Sequence, residues 1–470
     1  GGTFTANSAG LNIVAATGLI DLDASTAGTY TIKYVTTGSC PDSSTQDVTI
    51  TTPSTDFNYG GATEFCLGTT NPVATITGAS GGTFSATGGL TIDANTGEID
   101  LSTANPGSYD VTYTPASSGN WQQIGQDIDG LASGDRLGSG VSLSSSGYQL
   151  AISARGNDDN GSDAGKTRVY QWNDTSWVQI GQDINGEAAG DNSGYQESLS
   201  LSGNGNRLAI GAYGNDGNGT DAGHVRILQF DGTNWLQLGQ DIEGENAGDF
   251  CGYDLKINYN GDRVVIGSIF NSNNGTHSGQ VRVFEWDGFN WAQLGQNING
   301  DTTSESAGWG LALNNTGNRI AVSSPGYNSS TGRVRVYDWD GFTWLQTGSE
   351  ILGDTQGDNF GLRISMNADG DLVSIGDSYT NDNIGTNRGR VRIYSLNGSI
   401  WQQNGQDLVG PDNSSQRSSA LNDIGDIVAT GSDGLHQQGT IDHVKIYKYE
   451  NSNWSQIGQP ILGENPNSAY

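Results

Sequence analysis

WLQLGQDIEGENAGD, residues 235–249, is one of seven versions of the same stretch. The others begin at Trp121 (WQQIGQDIDG), Trp177 (WVQIGQDING), Trp291 (WAQLGQNING), Trp344 (WLQTGSEILG), Trp401 (WQQNGQDLVG) and Trp454 (WSQIGQPILG). Successive tryptophans lie 56, 58, 56, 53, 57 and 53 residues apart, a period that belongs to an array, a solenoid or a propeller. Outward from the tryptophan, the third copy contains the strand-like runs YDLKIN (253–258), RVVIG (263–267), QVRVFEW (280–286) and WAQLG (291–295). The first two are joined at Asn260-Gly261 and the last two at Asp287-Gly288, dipeptides that favour tight hairpin turns. Such short connections leave no room for helices. A four-stranded antiparallel meander repeated in this way is a propeller blade; a β-solenoid is the runner-up, but its coils are shorter and are not built from hairpins.

The first three strands recur six times and the tryptophan strand seven times, which predicts a propeller of six complete blades over residues 121–470. GENPNSAY at 463–470 matches GENAGDF at 244–250. A seventh blade is therefore expected to start where the sequence stops, with residues 121–130 as its outer strand. With six blades only, one strand is spare.

Composition agrees with an all-β chain. At 470 residues it exceeds one ordinary core. Its 72 glycines come with only 9 prolines and no Gly-X-Y period, so they serve turns rather than a collagen helix. Val, Ile, Thr, Tyr and Trp alternate with polar residues, as in half-buried strands. The net charge of −31 repels phosphate backbones and argues against a nucleic-acid partner, while favouring cations and solubility. No run of 18 apolar residues occurs, so no membrane insertion is expected.

Residues 1–120 carry a shorter repeat. GGTFTANSAGLNI (1–13) aligns with GGTFSATGGLTI (81–92), TGLIDL (17–22) with TGEIDL (96–101), and GTYTIKY (28–34) with GSYDVTY (107–113). Short strands separated by glycine turns predict two small immunoglobulin-like β-sandwiches, a partial one at 1–52 and a whole one at 53–120. The first copy lacks the lead-in found at 57–80 and reads as truncated. Cys40, Cys66 and Cys251 are too few for a disulfide framework. Cys40 and Cys66 are expected to be unpaired or to find partners outside this sequence, with a Cys40–Cys66 bridge as the alternative. Either fits an exported, oxidising setting.

The stretch GDNSGYQESLSLSGNGNRLAIGAYGNDGNGTDAGHVRILQFDGTNW (190–235) resembles FG-GAP-type repeats, the blades of integrin-α-like propellers. The shorter repeat looks like the modules of SprB-type giant surface adhesins of gliding Bacteroidota. These resemblances imply a cell-surface adhesin tied to gliding motility and exported by type IX secretion. One departure matters: the family's Asp-x-Asp-x-Asp-Gly calcium loop is replaced by turns such as SGNG (202–205) and NADG (367–370). Calcium therefore does not follow from the resemblance.

The better metal candidate is the loop between second and third strands: Asn157, Asp158, Asp159 and Asp163 in the first blade, Asn215, Asp216, Asn218 and Asp221 in the second. Closely spaced oxygens around glycine suit Ca2+, yet the same residues are ordinary turn formers. The copies at 271–277 and 328–332 carry no carboxylate. The tryptophans are expected to pack between blades rather than to stack on sugars. The third-strand cations Arg168, Arg226, Arg282, Arg335, Arg392 and Lys445 are expected to pair with Asp135, Asp191, Asp249 and Asp358 or to cover apolar surface.

Catalysis finds no motif. His224, His277, His436 and His443 lack metal-binding spacing, and a carboxylate pair is recognisable only in space. The leading expectation is a non-enzymatic extracellular segment of an adhesin or filament, with no certain cofactor. Its sandwiches would be spacers, and its propeller would meet a surface polysaccharide, another extracellular ligand or neighbouring modules. The alternative is a carbohydrate-binding or carbohydrate-active propeller, which needs a central pocket where carboxylates converge.

Overall fold

The computed structural model describes residues 2–114 with short interruptions, and 121–462 apart from 382–386, 411–413 and 435–442. Residues 463–470, on which the expected seventh blade rests, and Cys40 lie outside the described residues; Cys66 is an exposed free thiol. The chain divides into two compact units, Gly1–Trp121 with Ser455–Gln459, and Gln122–Trp454 with Pro460–Tyr470.

In the first unit, Gly2–Ala6, Gly28–Thr36 and Ser43–Ile50 form an antiparallel three-stranded sheet. Asn12–Ile13 pairs with Ile20–Asp21, Phe57–Asn58 with Thr75–Ile76, and Thr83–Ala86 with Val111–Thr114. Phe57, Phe84 and Tyr113 make an aromatic cluster under the last pair, above buried Ile99 and Leu101. The expected strands are present, but two facing sheets of an immunoglobulin sandwich are not seen among the described residues.

The second unit is a β-propeller, with six four-stranded blades among the described residues. Blade 3 shows the pattern: Cys251–Ile257, Arg263–Ser268, Gln280–Trp286 and Trp291–Gln293 pair antiparallel in chain order. After the fourth strand the chain bends back, and Ile298–Asn299 pairs again with the third strand. The innermost strands of the six blades are Leu137–Leu143, Leu199–Leu201, Cys251–Ile257, Leu311–Leu313, Arg363–Met366 and Ser414–Leu421. They surround an axial channel to which every blade contributes residues. Tyr327–Ser330 is the only helical turn among the described residues, and no helix is long and apolar enough to cross a membrane.

The core lies between blades. One cluster joins Ala209, Val225 and Ile227 of blade 2 to Leu255, Val264, Ile266 and Trp291 of blade 3. The recurrent tryptophan motif closes each of these interfaces. Trp235, Trp291, Trp344, Trp401 and Trp454 are buried, and each indole N–H donates to a carbonyl of the preceding blade's tail: Ile180, Leu238, Leu294, Thr347 and Asn404, at 2.8–3.2 Å. The glutamine of the Gly-Gln pair then pins the tryptophan backbone. Gln182 Nε2 donates to Trp235 O at 2.6 Å, and Trp235 N–H donates to Gln182 Oε1 at 3.0 Å. The glycine is needed because φ is +78° at Gly239 and a Cβ there would lie 2.6 Å from the Trp286 ring.

Residues 122–130 form no strand. Gln126 exchanges the same two hydrogen bonds with Trp177, so this segment docks on blade 1 as every later tail docks on the next blade. Hydrogen bonds join each consecutive pair from blade 1 to blade 6. Trp235→Ala is expected to cost about 3–5 kcal/mol in urea unfolding, the usual range for emptying a buried indole site. A loss below about 1 kcal/mol would show that the indole is not a core residue.

Candidate functional site at the channel mouth

The loops singled out for calcium are tied by their own backbone. Asn157 Oδ1 accepts from Asp159 N–H at 3.1 Å, Asp158 Oδ1 accepts from Asp163 N–H at 2.8 Å, and Asp159 takes the Lys166 ammonium. In blade 2, Asn215 Oδ1 accepts from Gly217 N–H and Asp216 Oδ1 from Asp221 N–H, while Asn218 donates to Gly244 O. Blade 3 makes the same turn without a carboxylate, Ser272 Oγ accepting from His277 N–H. These bonds use one oxygen each of Asn157, Asp158, Asn215 and Asp216 and leave the second carboxylate oxygens of Asp158 and Asp216 without a backbone donor. The Gly-Asp carboxylates also differ from expectation: Asp135, Asp191 and Asp249 accept from Asn157, Asn215 and Asn271 and from their own loop amides, not from the third-strand arginines.

What sets one region apart is a break in the repeat. At the aligned inner-strand position the blades carry Ser142, Ser200, Lys256, Ala312, Ser365 and Ala420. The three serines each accept an amide N–H from the next blade: Leu201 at 2.9 Å, Ile257 at 3.2 Å and Leu421 at 3.1 Å. Lysine has no acceptor, and in blade 3 the bond to the next blade is made two residues earlier, Asp254 Oδ2 accepting from Leu311 N–H at 2.9 Å. A bulge lies between Cys251 and Leu255. Lys256 lines the channel.

Lys256 Nζ lies 3.0 Å from Asp254 Oδ1 and 2.9 Å from Glu197 Oε2. Arg363, from blade 5, reaches Glu197 Oε1 at 3.4 Å and donates to Gln196 Oε1 at 2.6 Å. Charged groups from blades 2, 3 and 5 thus form a bar across the axis. The Lys256 ammonium, with Arg363, holds the Glu197 carboxyl down at about 2, against the cost of burial. Asp254 behaves oppositely: burial pushes its carboxyl up to about 7, with the Lys256 charge only partly offsetting this. Burial works to lower the Lys256 pKa, but its two carboxylate neighbours outweigh it and the net shift is upward. Two carboxyls on one ammonium with pKa values driven apart is an arrangement that separates acid from base roles.

On one side of the bar is an apolar cavity of about 460 Å3, with Ile257, Leu313, Ile364 and Met366 in its wall. On the other is a polar mouth of about 530 Å3, walled by Tyr195, Tyr253 and Trp309 beside Gln196, Glu197 and Arg363. The rings meet in series at tilted planes: Tyr195 to Tyr253 at 5.7 Å and Tyr253 to Trp309 at 5.1 Å between centroids. Arg155 lies over the Tyr195 ring at 4.7 Å. The Trp309 Nε1–H is shielded from solvent and has no acceptor, and burial raises the Tyr253 hydroxyl pKa. None of these residues was singled out from the sequence. Their signal was departure from the repeat, at Lys256, Asp254 and Arg363, whereas the motif search rewarded recurrence.

This fold and channel define a β-propeller protein. No family model and no curated protein matches the chain. Solved structures similar to it are propellers. One is a Bacteroides uniformis protein assigned as a 6-phosphogluconolactonase (14% identity, 67% of this chain and 82% of that one, TM-score 0.44). Another is the periplasmic gluconolactonase of Pseudomonas aeruginosa (13%, 69% and 87%, 0.45). A third is the propeller domain of the trilobed protease of Pyrococcus furiosus (11%, 68% and 84%, 0.40). The expectation that the chain is not an enzyme is corrected here. Two of these similar structures are named as lactonases. The convergent carboxylates that the sequence could not place meet at the axis.

Between about pH 4 and 7 the folded state keeps a proton on Asp254 that the unfolded chain has released, so this group's contribution to stability falls as pH rises through that window. Asp254→Asn removes the effect and can keep the bond from Leu311. Its stability relative to wild type, from urea unfolding, is expected to improve by a few kcal/mol between pH 4 and pH 7. A pH-independent difference would contradict the assignment.

Proposed function

We propose that the chain is a carbohydrate-active propeller protein whose channel mouth takes a sugar bearing a carboxylate or its lactone. The observation that carries this is the pairing of aromatic walls with the Glu197–Arg363–Lys256 bar in one polar cavity of about 530 Å3. Ring faces offer apolar area to the C–H faces of a pyranose. Gln196 and Glu197 offer hydrogen bonds to hydroxyls. In a protein of net charge −31, the guanidinium groups of Arg155 and Arg363 at this mouth supply the complement to an anionic ligand. With its carboxyl held near 2, Glu197 is a poor base; it suits orientation, while Arg363 and Lys256 suit a developing oxyanion. We further place the chain outside the cell, with a surface polysaccharide as the source of such sugars. The acidic composition and the adhesin-like modules at 1–120 support that placement.

Isothermal titration with glucuronate, gluconate and glucose tests the reading, alongside hydrolysis of gluconolactone. Binding is expected for the acids over glucose, and Arg363→Met is expected to weaken it at least tenfold with little change in melting temperature. Equal binding of glucose, or unaltered affinity in the variant, would remove the proposed ligand class.

A further inference from the structure

One side-chain position recurs through the blades outside the channel. At the start of the third strand stand Lys166, His224, Gln280, Arg333 and Arg390, each in register with the returning tail. In blades 4 and 5 an arginine lies between two flanking acids. Arg333 meets Asp301 at 2.5 Å and Glu350 at 2.9 Å, besides Glu305; Arg390 meets Asp354 at 2.6 Å and Asp407 at 3.2 Å, besides Asp377. In blade 1, Lys166 meets Asp183 at 3.1 Å and also Asp159. In blade 3 the cation is replaced by Gln280, and the tail acid is replaced as well, by Asn297. One acid is lost with the cation there, and the acid that remains, Glu245, accepts from Gln280 Nε2 at 3.1 Å.

Blade 2 breaks that rule. Its central residue is His224, yet both acids remain as Glu187 and Asp241, and the tail residue in register with it is a further acid, Glu243. His224 is only 1% exposed and makes no hydrogen bond through either ring nitrogen: Nε2 is buried without a partner, and Nδ1 stands 4.0 Å from Glu187 Oε2 and 3.9 Å from Asp241 Oδ2. The outer oxygens of both acids are already held, Glu187 Oε1 by Arg226 at 3.3 Å and Asp241 Oδ1 by Gln237 at 2.6 Å. This leaves one oxygen of each aimed at the imidazole. Glu243 Oε2 is likewise buried and unpartnered, and burial with the two neighbouring acids raises its carboxyl pKa. Burial also lowers the His224 pKa, favouring the neutral ring that a metal requires.

We propose that Glu187, His224 and Asp241 bind a divalent transition-metal ion, the metal taking the place that Arg333 and Arg390 fill in blades 4 and 5. Ligand atoms of the three residues lie within 4.8 Å of one another. Zinc bonds of about 2.0–2.1 Å require roughly 3.3–3.5 Å between ligand atoms, a closure that side-chain rotation supplies. An imidazole nitrogen with carboxylates selects a zinc- or manganese-like ion over calcium. The outer hydrogen bonds from Arg226 and Gln237 orient the ligands as outer partners do in metal sites. Glu187 and Asp241 are 44% and 28% exposed, so an ion can reach them.

The test uses the whole chain, stripped with chelator and titrated calorimetrically with Zn2+, with Ca2+ as the comparison and Co2+ absorption as the report on ligand geometry. One Zn2+ per chain is expected, with a raised melting temperature. Asp241→Asn is expected to weaken binding at least tenfold. His224→Lys, which copies the Lys166 arrangement, is expected to abolish it while the protein stays folded. If that variant fails to fold, the Asp241→Asn titration decides alone. Absence of Zn2+ binding, binding unchanged in the folded variants, or Ca2+ bound in preference to Zn2+ would each overturn the assignment.

Discussion

An indole N–H in a dry interface must find an acceptor, and the tail of each blade leaves a carbonyl in need of a donor. From blade 2 onward the propeller meets both needs with one bond, from the tryptophan of one blade to the tail of the blade before it. The bond brings the indole over the tail glycine, which is why a side chain there is not tolerated. The neighbouring glutamine then closes the backbone edge of the same tryptophan. Packing, hydrogen bonding and turn geometry at each interface therefore depend on one recurrent motif of six residues. Where its glutamine is replaced, at Ser349, the Trp401 amide keeps only a 3.4 Å bond.

This lock lies at the outer edge of the blades and leaves the axis free to vary. The inner strands need only a small acceptor per blade to hold the next amide, and serine supplies it three times. In blade 3 the position carries a lysine, and Asp254 holds a different amide of the next blade, that of Leu311. The lysine meets a glutamate that an arginine of a third blade also holds, because inner strands from every blade converge at the axis. The rim position behaves in the same way. A guanidinium between two acids is a structural ion pair in blades 4 and 5, and a histidine in that position leaves no guanidinium or ammonium between the two acids, although Arg226 holds the outer oxygen of Glu187. Both candidate sites arise where a recurrent structural role is handed to a different residue.

The sequence alone determined the all-β class, the blade period, the hairpin turns and the packing role of five of the seven tryptophans; Trp121 is exposed and Trp177 half-buried. All of these are local or repeated: the period-2 alternation, the Asn-Gly and Asp-Gly turns, and a motif that every blade needs. It also located the strands of residues 1–120, though not the facing sheets of a sandwich. Only the tertiary structure decided which residues meet at the axis. Glu197 and Arg363 are 166 positions apart in the chain and belong to non-adjacent blades, so no spacing rule links them. It likewise showed that in the loop at Asn157–Asp163 one oxygen each of Asn157 and Asp158 accepts a loop amide, a detail composition does not carry because an Asn-Asp-Gly turn and a calcium loop share it. Repetition makes architecture legible in a chain of this kind; chemistry rests on the single exceptions, and only folding shows which exceptions face one another.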